Sequence, residues 1–321
     1  MSVQEPAPVF FPKTIKKVGL VNRTKPDEKN KILDDIEKIL SVEGKNLDKE
    51  GAEQCVKGAF DELAKNQNIE EVKDLINVDV RTSSVGAFPS MLSWSSVEKI
   101  CNENHVDALF VLEFYDTNTG VDYKTVQKEV EGPLGVKIPA LEHHATVATS
   151  IKTGWRIYYP DAKEILDEFI MMDKTVSTGV GINPTVALEA VTGRKENVKM
   201  LSRNLGKAYA HRIVPYWIRV SRYYYVRGTD NFKIAKRRAQ TGDWDGAAEL
   251  WAKEIDNPKR KVAGRACYNM AIINEINGNL DEALSWAQKS YVDYKNKEAL
   301  RYMNTLKYRK AKMEEIKMQQ E

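Results

Sequence analysis

The sequence predicts an α+β fold, in which an N-terminal mixed α/β domain with a largely antiparallel sheet precedes a C-terminal all-α helical module. Three observations support this class. Up to residue 114, short apolar runs alternate with stretches of helical periodicity. From about residue 120 to 177, polar and apolar residues alternate over long stretches, as antiparallel strands require. After residue 227, apolar residues recur at helical spacing, which indicates packed helices.

The C-terminal module contains the same helical hairpin pattern twice. Residues 242–248 (GDWDGAA) align with residues 278–284 (GNLDEAL) at an offset of 36 positions. A period near 34 residues, with glycine in the turn and alanine at the next helix contact, is typical of tetratricopeptide repeats. Two repeats are fewer than the three or so that a free-standing stack needs. We therefore expect the module to pack on the α/β domain, with a helix at 297–316 as its cap and a frayed tail after it.

The first half of the α/β domain is predicted to contain short buried strands joined by helices. Residues 106–114 form the most apolar strand candidate, which we expect at the centre of the sheet. A capping box that begins at Ser95 predicts a helix just before this strand. The other predicted elements are strands at 16–22 and 72–80 and helices at 27–39 and 47–63.

The second half is predicted to form an antiparallel hairpin with one face in water. Alternation over residues 146–158 places Trp155 on the apolar face and Arg156 on the polar face. A strand at 165–172 is expected to return beside it.

The end of the α/β domain is predicted to be helix and then strand. Asn183 and Pro184 mark a helix start, a long and interrupted helix reaches His211, and a last strand follows at 216–226. The predicted domain boundaries are an extended lead-in at 1–13, the α/β domain at 14–227, and the repeats with their capping helix at 228–321.

Composition excludes several functional classes. The chain of 321 residues is 42% hydrophobic and 30% charged, which is typical of a globular protein, and its net charge of +3 is far below that of a dedicated nucleic-acid binder. No nucleic-acid partner is therefore expected. No apolar run approaches the roughly 18 residues of a membrane-spanning helix. The three cysteines, Cys55, Cys101 and Cys267, lie in helical patterns and are expected to be buried thiols.

No catalytic, cofactor or metal site is predicted. Residues 178–184 join a strand to a helix but lack the third glycine and the lysine of a phosphate loop. The Glu-His-His run at 142–144 lies on a strand, where neighbouring side chains point to opposite faces, so only one histidine could serve a single site. Asp107 and Glu113 share a face at a separation of about 20 Å, too far for an acid/base pair. We expect no enzyme.

Basic residues form two groups in the helical module and are the candidate partner-binding residues. A cationic patch of this kind suits an acidic peptide, an anionic glycan or lipid head groups; a solvated helix face with a charged loop is the other interpretation. Interleaved aromatics, which a single-strand binder uses for stacking, are absent from these segments. The residues are Lys233, Lys236, Arg237, Arg238, Lys259, Arg260 and Lys261.

Three segments carry a family resemblance that covers nearly the whole chain. Residues 5–9 (EPAPV), 17–23 (KVGLVNR) and 231–238 (NFKIAKRR) resemble an uncharacterised cell-envelope lipoprotein family of Bacteroidetes-type bacteria. The resemblance implies a mature domain in the periplasm or at the outer membrane, held there by lipid. The first residues carry no secretion signal, so membrane contact is expected only through a lipid anchor that this chain lacks. In the order of its elements, the α/β half is similar to the lipoproteins of curli secretion and of penicillin-binding-protein activation.

Together these observations favour a non-enzymatic cell-envelope protein that acts as a protein interaction or assembly module. The alternative is an envelope protein that binds or processes a carbohydrate or small molecule, with its site on the α/β domain near Trp155 and Arg156.

Overall fold

The computed structural model describes residues 1–24, 47–80, 86–131 and 137–320. The chain divides into two compact units. The α/β unit is Val9–Ile213, and the helical unit combines Met1–Pro8 with Val214–Glu321. The α+β class is confirmed. The division differs from the predicted boundaries because the first residues form a strand that pairs with residues after 215.

The described part of the α/β unit is built on a five-stranded mixed sheet in the order β3-β2-β4-β5-β6. β2 runs parallel to β3 and β4, whereas β4, β5 and β6 are antiparallel neighbours. β4 lies at the centre, as its apolar sequence predicts. The strands are β2 (Lys17–Asn22), β3 (Glu71–Asp74), β4 (Ala108–Glu131), β5 (Lys137–Tyr159) and β6 (Glu164–Gly181).

The three antiparallel strands extend well past the core. The first eight residues of β4 are all buried and most of the remainder are exposed, so the strand leaves the core at about its midpoint. A short helical segment at residues 184–190 covers one face of this extension, where Ala187 and Leu188 pack on Ala145 and Val147. At Gly179 and Gly181 of β6 an added Cβ would clash with the backbone of this segment, so glycine permits this close approach.

Helices pack on both halves of the sheet. They are α1 (Leu47–Leu63), α2 (Trp94–Asn104), α3 (Pro184–Glu189) and α4 (Arg194–Ala210), followed by a 3₁₀ turn (His211–Ile213). The interruption between α3 and α4, and the cap by Asn183 that bonds Val186 N, confirm the prediction for that region. The helix predicted at 27–39 lies outside the described residues.

Several predicted boundaries were wrong. β5 begins at Lys137 rather than at residue 146, and β6 ends at Gly181 rather than at residue 172. The N-cap of α2 is Ser93, whose hydroxyl accepts from Ser96 N, rather than Ser95. β3 ends at Asp74 although a strand was expected to residue 80, because Leu75 N bonds Leu20 O and the chain then turns. The strand after the 3₁₀ turn spans four residues and ends at Arg219.

The helical unit contains two short strands and five helices in its described residues. β1 (Ser2–Glu5) pairs antiparallel with β7 (Tyr216–Arg219). Each helix contacts the next one along the chain. The helices are α5 (Asp230–Gln240), α6 (Trp244–Ala252), α7 (Arg260–Ile276), α8 (Leu280–Val292) and α9 (Lys297–Gln320).

The two copies of the hairpin pattern have matching turns. Gly242 and Gly278 both adopt left-handed backbone angles, with φ of 86° and 83°. The residues after them, Asp243 and Asn279, cap the next helix with nearly equal angles. Because glycine adopts left-handed angles without steric cost, it ends the first helix of each pair. The all-helical character of this region is confirmed; its assignment to the tetratricopeptide class stays a prediction.

The last helix is longer than predicted. α9 continues to Gln320, although the tail was expected to fray after residue 316. The Gln319 side chain both donates to Ala7 O and accepts from Ala7 N, at 3.0 and 2.9 Å. Ile316 is buried. Contacts with the N-terminal segment therefore order the end of the helix.

The three cysteines are free and buried, as expected. Burial raises the pKa of Cys101 to about 12 and that of Cys267 to about 11, so both thiols stay protonated at neutral pH. Among the helices that the structure describes, none combines the length and apolar character needed to cross a bilayer.

α1 and α4 pack against each other through glycine. An added Cβ at Gly206 of α4 would overlap the carbonyl oxygen of Cys55, and one at Gly58 of α1 would overlap that of Arg203. Backbone atoms cannot move aside as a flexible side chain can. The absence of a side chain at these two positions therefore sets the distance between the helices.

We predict that Gly206→Ala lowers the free energy of unfolding by about 1–3 kcal/mol, because overpacking outweighs the gain of up to about 1 kcal/mol in helix propensity. Chemical denaturation followed by circular dichroism measures the change. Gly120→Ala is the control, since nothing lies within 4 Å of an added Cβ there. Equal stability of Gly206→Ala and wild type would show that the helices are not held at this distance.

Candidate functional site

The predicted partner-binding residues lie on α5, at the start of α7 and at the residue just before α7. We call these seven side chains the cationic surface, and all of them are exposed. Phe232 and Ala235 of α5 share one hydrophobic cluster with Val262 and Ala266 of α7, so the two helices pack on the same core. The members of the cationic surface on α5 are Lys233, Lys236, Arg237 and Arg238, and those at the start of α7 are Lys259, Arg260 and Lys261.

Part of the cationic surface is neutralised by its own neighbours. Lys233 Nζ lies 2.9 Å from an Asp230 carboxylate oxygen, and Arg238 Nη1 lies 3.5 Å from Asp243. Arg260 donates to the carbonyl oxygen of Asp293. In the described part of the chain the remaining members form no ion pair. They are Lys236, Arg237, Lys259 and Lys261, and their charges are available to a partner.

A buried carboxylate joins the two ends of the cationic surface. Glu254 accepts 2.7 Å hydrogen bonds from Thr229 and Asn231 at the start of α5 and from Asn257 in the loop before α7. Burial alone would raise the pKa of Glu254, but these three donors hold it below its usual value. The carboxylate is therefore ionised at neutral pH and fixes the loop beside α5.

A second buried carboxylate organises the other end of the helical unit. Glu275 of α7 is fully buried. Its oxygens accept two hydrogen bonds of 2.8 Å from Arg222, one from Tyr302, and lie 2.9 Å from Arg309 Nη1. Burial raises the pKa of Glu275, but these bonds outweigh it and the pKa lies below its usual range. The group links the 221–225 segment, α7 and α9.

A cleft of about 220 Å³ lies beside this network. Its walls carry aromatic and charged groups, among them Arg222 and Arg301. Tyr223 is 58% exposed, stacks on Tyr268 with ring centroids 5.9 Å apart, and donates a 2.7 Å hydrogen bond to Glu298. The cleft therefore offers an aromatic face with hydrogen-bonding groups around it.

The sequence did not indicate this cleft. The strand predicted at 216–226 places Arg222 on a regular strand, whereas the chain leaves regular structure after Arg219. Glu275 is one of many acidic residues in helical patterns. No spacing links it to Arg222 or Tyr302. The one available signal is the group of tyrosines at 223–225.

The site expected near Trp155 and Arg156 is buried, so that part of the sequence interpretation was wrong. Trp155 is fully buried and stacks on Tyr209 at 4.8 Å. Arg156 is 4% exposed although alternation placed it on a wet face. The reason is a contact with a segment that is distant in the sequence. Its Nη1 donates to Pro89 O at 2.9 Å, and its guanidinium lies 4.7 Å from the centre of the Phe88 ring. The chain around residues 86–92 covers this face.

Arg156 belongs to a buried ionic cluster centred on Glu113. Glu113 is fully buried. It lies 2.7 Å from Arg23 Nη1 and 3.4 Å from Arg156 Nη1, and it accepts a 2.6 Å hydrogen bond from Tyr158. With two arginines at hand the carboxylate needs no external cation. The cluster connects the ends of β2, β4 and β5.

The remaining candidates have structural partners. Asp107 accepts from the backbone N–H groups of Lys16 and Lys17, both at 2.7 Å. His144 Nε2 lies 3.4 Å from Glu142, and His143 Nδ1 lies 3.4 Å from Thr125 Oγ1 on the neighbouring strand. Within the described ranges, histidine, cysteine and acidic side chains form no group of three that could hold a metal ion.

We predict that Glu275→Gln lowers the free energy of unfolding at pH 7 by roughly 3 kcal/mol, because two partly buried arginines lose their fully buried counter-charge. Since the folded pKa is lower than the unfolded value of 4.5, ionised Glu275 stabilises the fold above that pH. The contribution is lost as the pH falls through the folded pKa. Urea denaturation at pH 7 and near pH 3.5 should show the difference from wild type shrinking at the lower pH.

Glu249→Gln is the matched control, because Glu249 is an exposed helical glutamate. An equal loss from both variants, or a loss for Glu275→Gln that does not depend on pH, would contradict the role assigned to the Glu275 carboxylate.

Comparison with known proteins gives low structural similarity. No curated protein matches the chain. Two crystal forms of a PelC dodecamer from Paraburkholderia phytofirmans are 7% and 9% identical, with TM-scores of 0.26 and 0.25, and the matches cover 67% and 66% of this chain and 98% and 96% of PelC. A neuraminyllactose-binding hemagglutinin homolog from Helicobacter pylori is 12% identical with a TM-score of 0.27, over 64% of this chain and 94% of that one. Scores this low support no inference about function.

Two family models match in sequence. Residues 233–311 match a model described as "Domain of unknown function (DUF6340)". Residues 15–225, nearly the whole α/β unit and well over half of the chain, match a model described as "Domain of unknown function (DUF8603)". The chain therefore belongs to the DUF8603 family.

Proposed function

We propose that this chain is a non-enzymatic protein of the cell envelope whose helical unit binds an acidic segment of a protein partner through the cationic surface. The observation that carries the proposal is a group of exposed basic side chains without an ion pair in the described chain, on α5 and at the start of α7, two helices that pack on one core. They are Lys236, Arg237, Lys259 and Lys261. The location in the envelope rests on the sequence resemblance alone.

The surface has the properties of a recognition site for opposite charge. Its basic groups stand on helices whose inner faces are fixed by a hydrophobic cluster, so their spacing is set before a partner arrives. The Glu254 network holds the loop that carries Lys259 in place. Complementary charge accelerates encounter and selects the partner, while preorganisation reduces the entropy lost on binding.

The non-enzymatic part of the proposal is supported by the state of the buried acids. Among the described residues, Glu113 and Glu275 are fully buried, and each lies in a cluster with a tyrosine. Each is compensated by two arginines and accepts a tyrosine hydrogen bond. Groups whose oxygens are occupied in this way serve to hold the fold together.

Charge reversal at the centre of the surface tests the proposal. We predict that the double variant Lys236→Glu, Arg237→Glu binds a fluorescent ten-residue polyglutamate peptide about tenfold more weakly than wild type, because two ion pairs at about 0.7 kcal/mol each are lost. Fluorescence anisotropy at two salt concentrations measures the affinity. Binding by wild type should weaken as salt rises.

The matched control is Lys49→Glu, Lys57→Glu, which changes the net charge equally at exposed positions of α1 in the other unit. It should bind the peptide as wild type does. Equal weakening by both variants would mean that only net charge matters. Binding to phosphatidylglycerol vesicles, but not to the peptide, through Lys236 and Arg237 would replace the protein partner by a lipid surface.

A second candidate function is binding of a small polar ligand, favoured by the cleft beside Tyr223. We predict that a monosaccharide stacks on the exposed ring, and that Tyr223→Ala removes saturation-transfer signals from glucose or N-acetylglucosamine. Tyr291→Ala, a partly exposed tyrosine on α8, is the control. Absence of signal with wild type at millimolar sugar would eliminate this candidate.

A further inference from the structure

β6 lies at one edge of the sheet. It pairs with β5 along 18 residues, and no described strand pairs with its other side. From Glu168 to Lys174, all residues except the half-buried Met171 are exposed, so both faces of this stretch reach water. Ile170 is 38% and Met172 67% exposed. An exposed edge strand with apolar side chains is a template for pairing with another strand.

Met171 lies on one face of β6, and the side chains on the opposite face are arranged symmetrically about its position. Alternate residues of a strand share a face. Moving outward from Met171, the first pair on this face is apolar (Ile170 and Met172), and the second carries opposite charges (Glu168 and Lys174). Both pairs lie in the regular part of β6, because the irregularity in its pairing with β5 falls at Leu166.

We propose that two copies of this chain pair through their β6 edges in an antiparallel arrangement with a two-fold axis at Met171. In this register each Glu168 lies opposite Lys174 of the second copy, which gives two equivalent ion pairs. Each Ile170 lies opposite Met172 of the second copy. Opposite residues in antiparallel strands are close enough for such pairs to interact.

Among two-fold axes at residues 170 to 174, only the axis at Met171 places Glu168 opposite Lys174. A two-fold axis at residue 170 or 172 places Glu168 and Lys174 opposite apolar residues. An axis at residue 173 places Asp173 opposite its own copy, and an axis at 174 does the same for Lys174, which puts like charges together. On the other face, the axis at Met171 places Asp167 opposite Thr175 and brings no like charges opposite each other.

The side chains of Glu168 and Lys174 are both accessible to a second copy of the chain. Glu168 is held by a 2.7 Å bond from Arg156 Nε to one carboxylate oxygen, and its side chain is 46% exposed. Lys174 is exposed and forms no ion pair in the described part of the chain. The contact is separate from the cationic surface and does not depend on the proposed function.

Complementary variants test the pairing through the mass measured by analytical ultracentrifugation across a concentration series. Wild type should associate to dimers. Lys174→Glu places two pairs of glutamates opposite each other and should weaken the dimer at least about tenfold. Glu168→Lys should do the same with lysines. An equimolar mixture of the two variants restores both ion pairs and should dimerise as wild type does.

Lys124→Glu is the control for charge, since it makes the same change at an exposed position of β4. A monomeric wild type at all concentrations would overturn the proposal. So would dimers that are indifferent to Lys174→Glu, or a mixture that associates no better than its separate components. Circular dichroism of each variant establishes that loss of association is not loss of fold, in particular for Glu168→Lys beside Arg156.

Disulfide trapping gives an independent measurement. At the two-fold axis the two copies of residue 171 face each other at about 4.5–5.5 Å between Cα atoms, within the range of a disulfide. Met171→Cys should therefore cross-link under mild oxidation, with no background from the three buried native cysteines. Thr178→Cys lies far from its own copy in this register. Cross-linking of Thr178→Cys as efficiently as Met171→Cys would exclude the register.

Discussion

A fully buried glutamate, bonded to two arginines and one tyrosine, lies in each unit of this protein. An isolated buried charge would be strongly unfavourable, so each carboxylate is stable only while its partners stay in place. Every element that supplies a partner is thereby fixed in position. The members are Glu113 with Arg23, Arg156 and Tyr158 in the α/β unit, and Glu275 with Arg222, Arg309 and Tyr302 in the helical unit.

The surfaces that remain available follow from this arrangement. In the helical unit, the carboxylates of Glu275 and Glu254 are buried and bonded inside the fold. The basic residues of α5 and of the start of α7 are exposed, and some of them form no ion pair within the described chain. In the α/β unit, residues 86–92 cover Arg156 of β5, whereas residues 168–174 of the neighbouring edge strand β6 are exposed except for the half-buried Met171. The surfaces of the two proposed contacts therefore lie in separate units.

Local sequence patterns correctly predicted those elements in which the residues of one face are uniformly buried. The helix at 47–63 and the central position of β4 were correct, because uniform burial along one face gives an unambiguous periodicity. The start of α2 was wrong, since Ser93, Ser95 and Ser96 are chemically equivalent as caps and the backbone path alone selects among them. Alternation failed at Arg156, where a segment distant in sequence covers the strand.

The sequence by itself determined the fold class, the burial of the cysteines, and the repeated turns at Gly242 and Gly278, because each depends on residues close together in the chain. Only the tertiary structure decided which charges are buried and which are exposed. Glu113 and Glu275 look like other acidic residues in the sequence, and their role arises from arginines tens of positions away. Burial of a charge is a property of its three-dimensional neighbours, which one-dimensional periodicity does not encode.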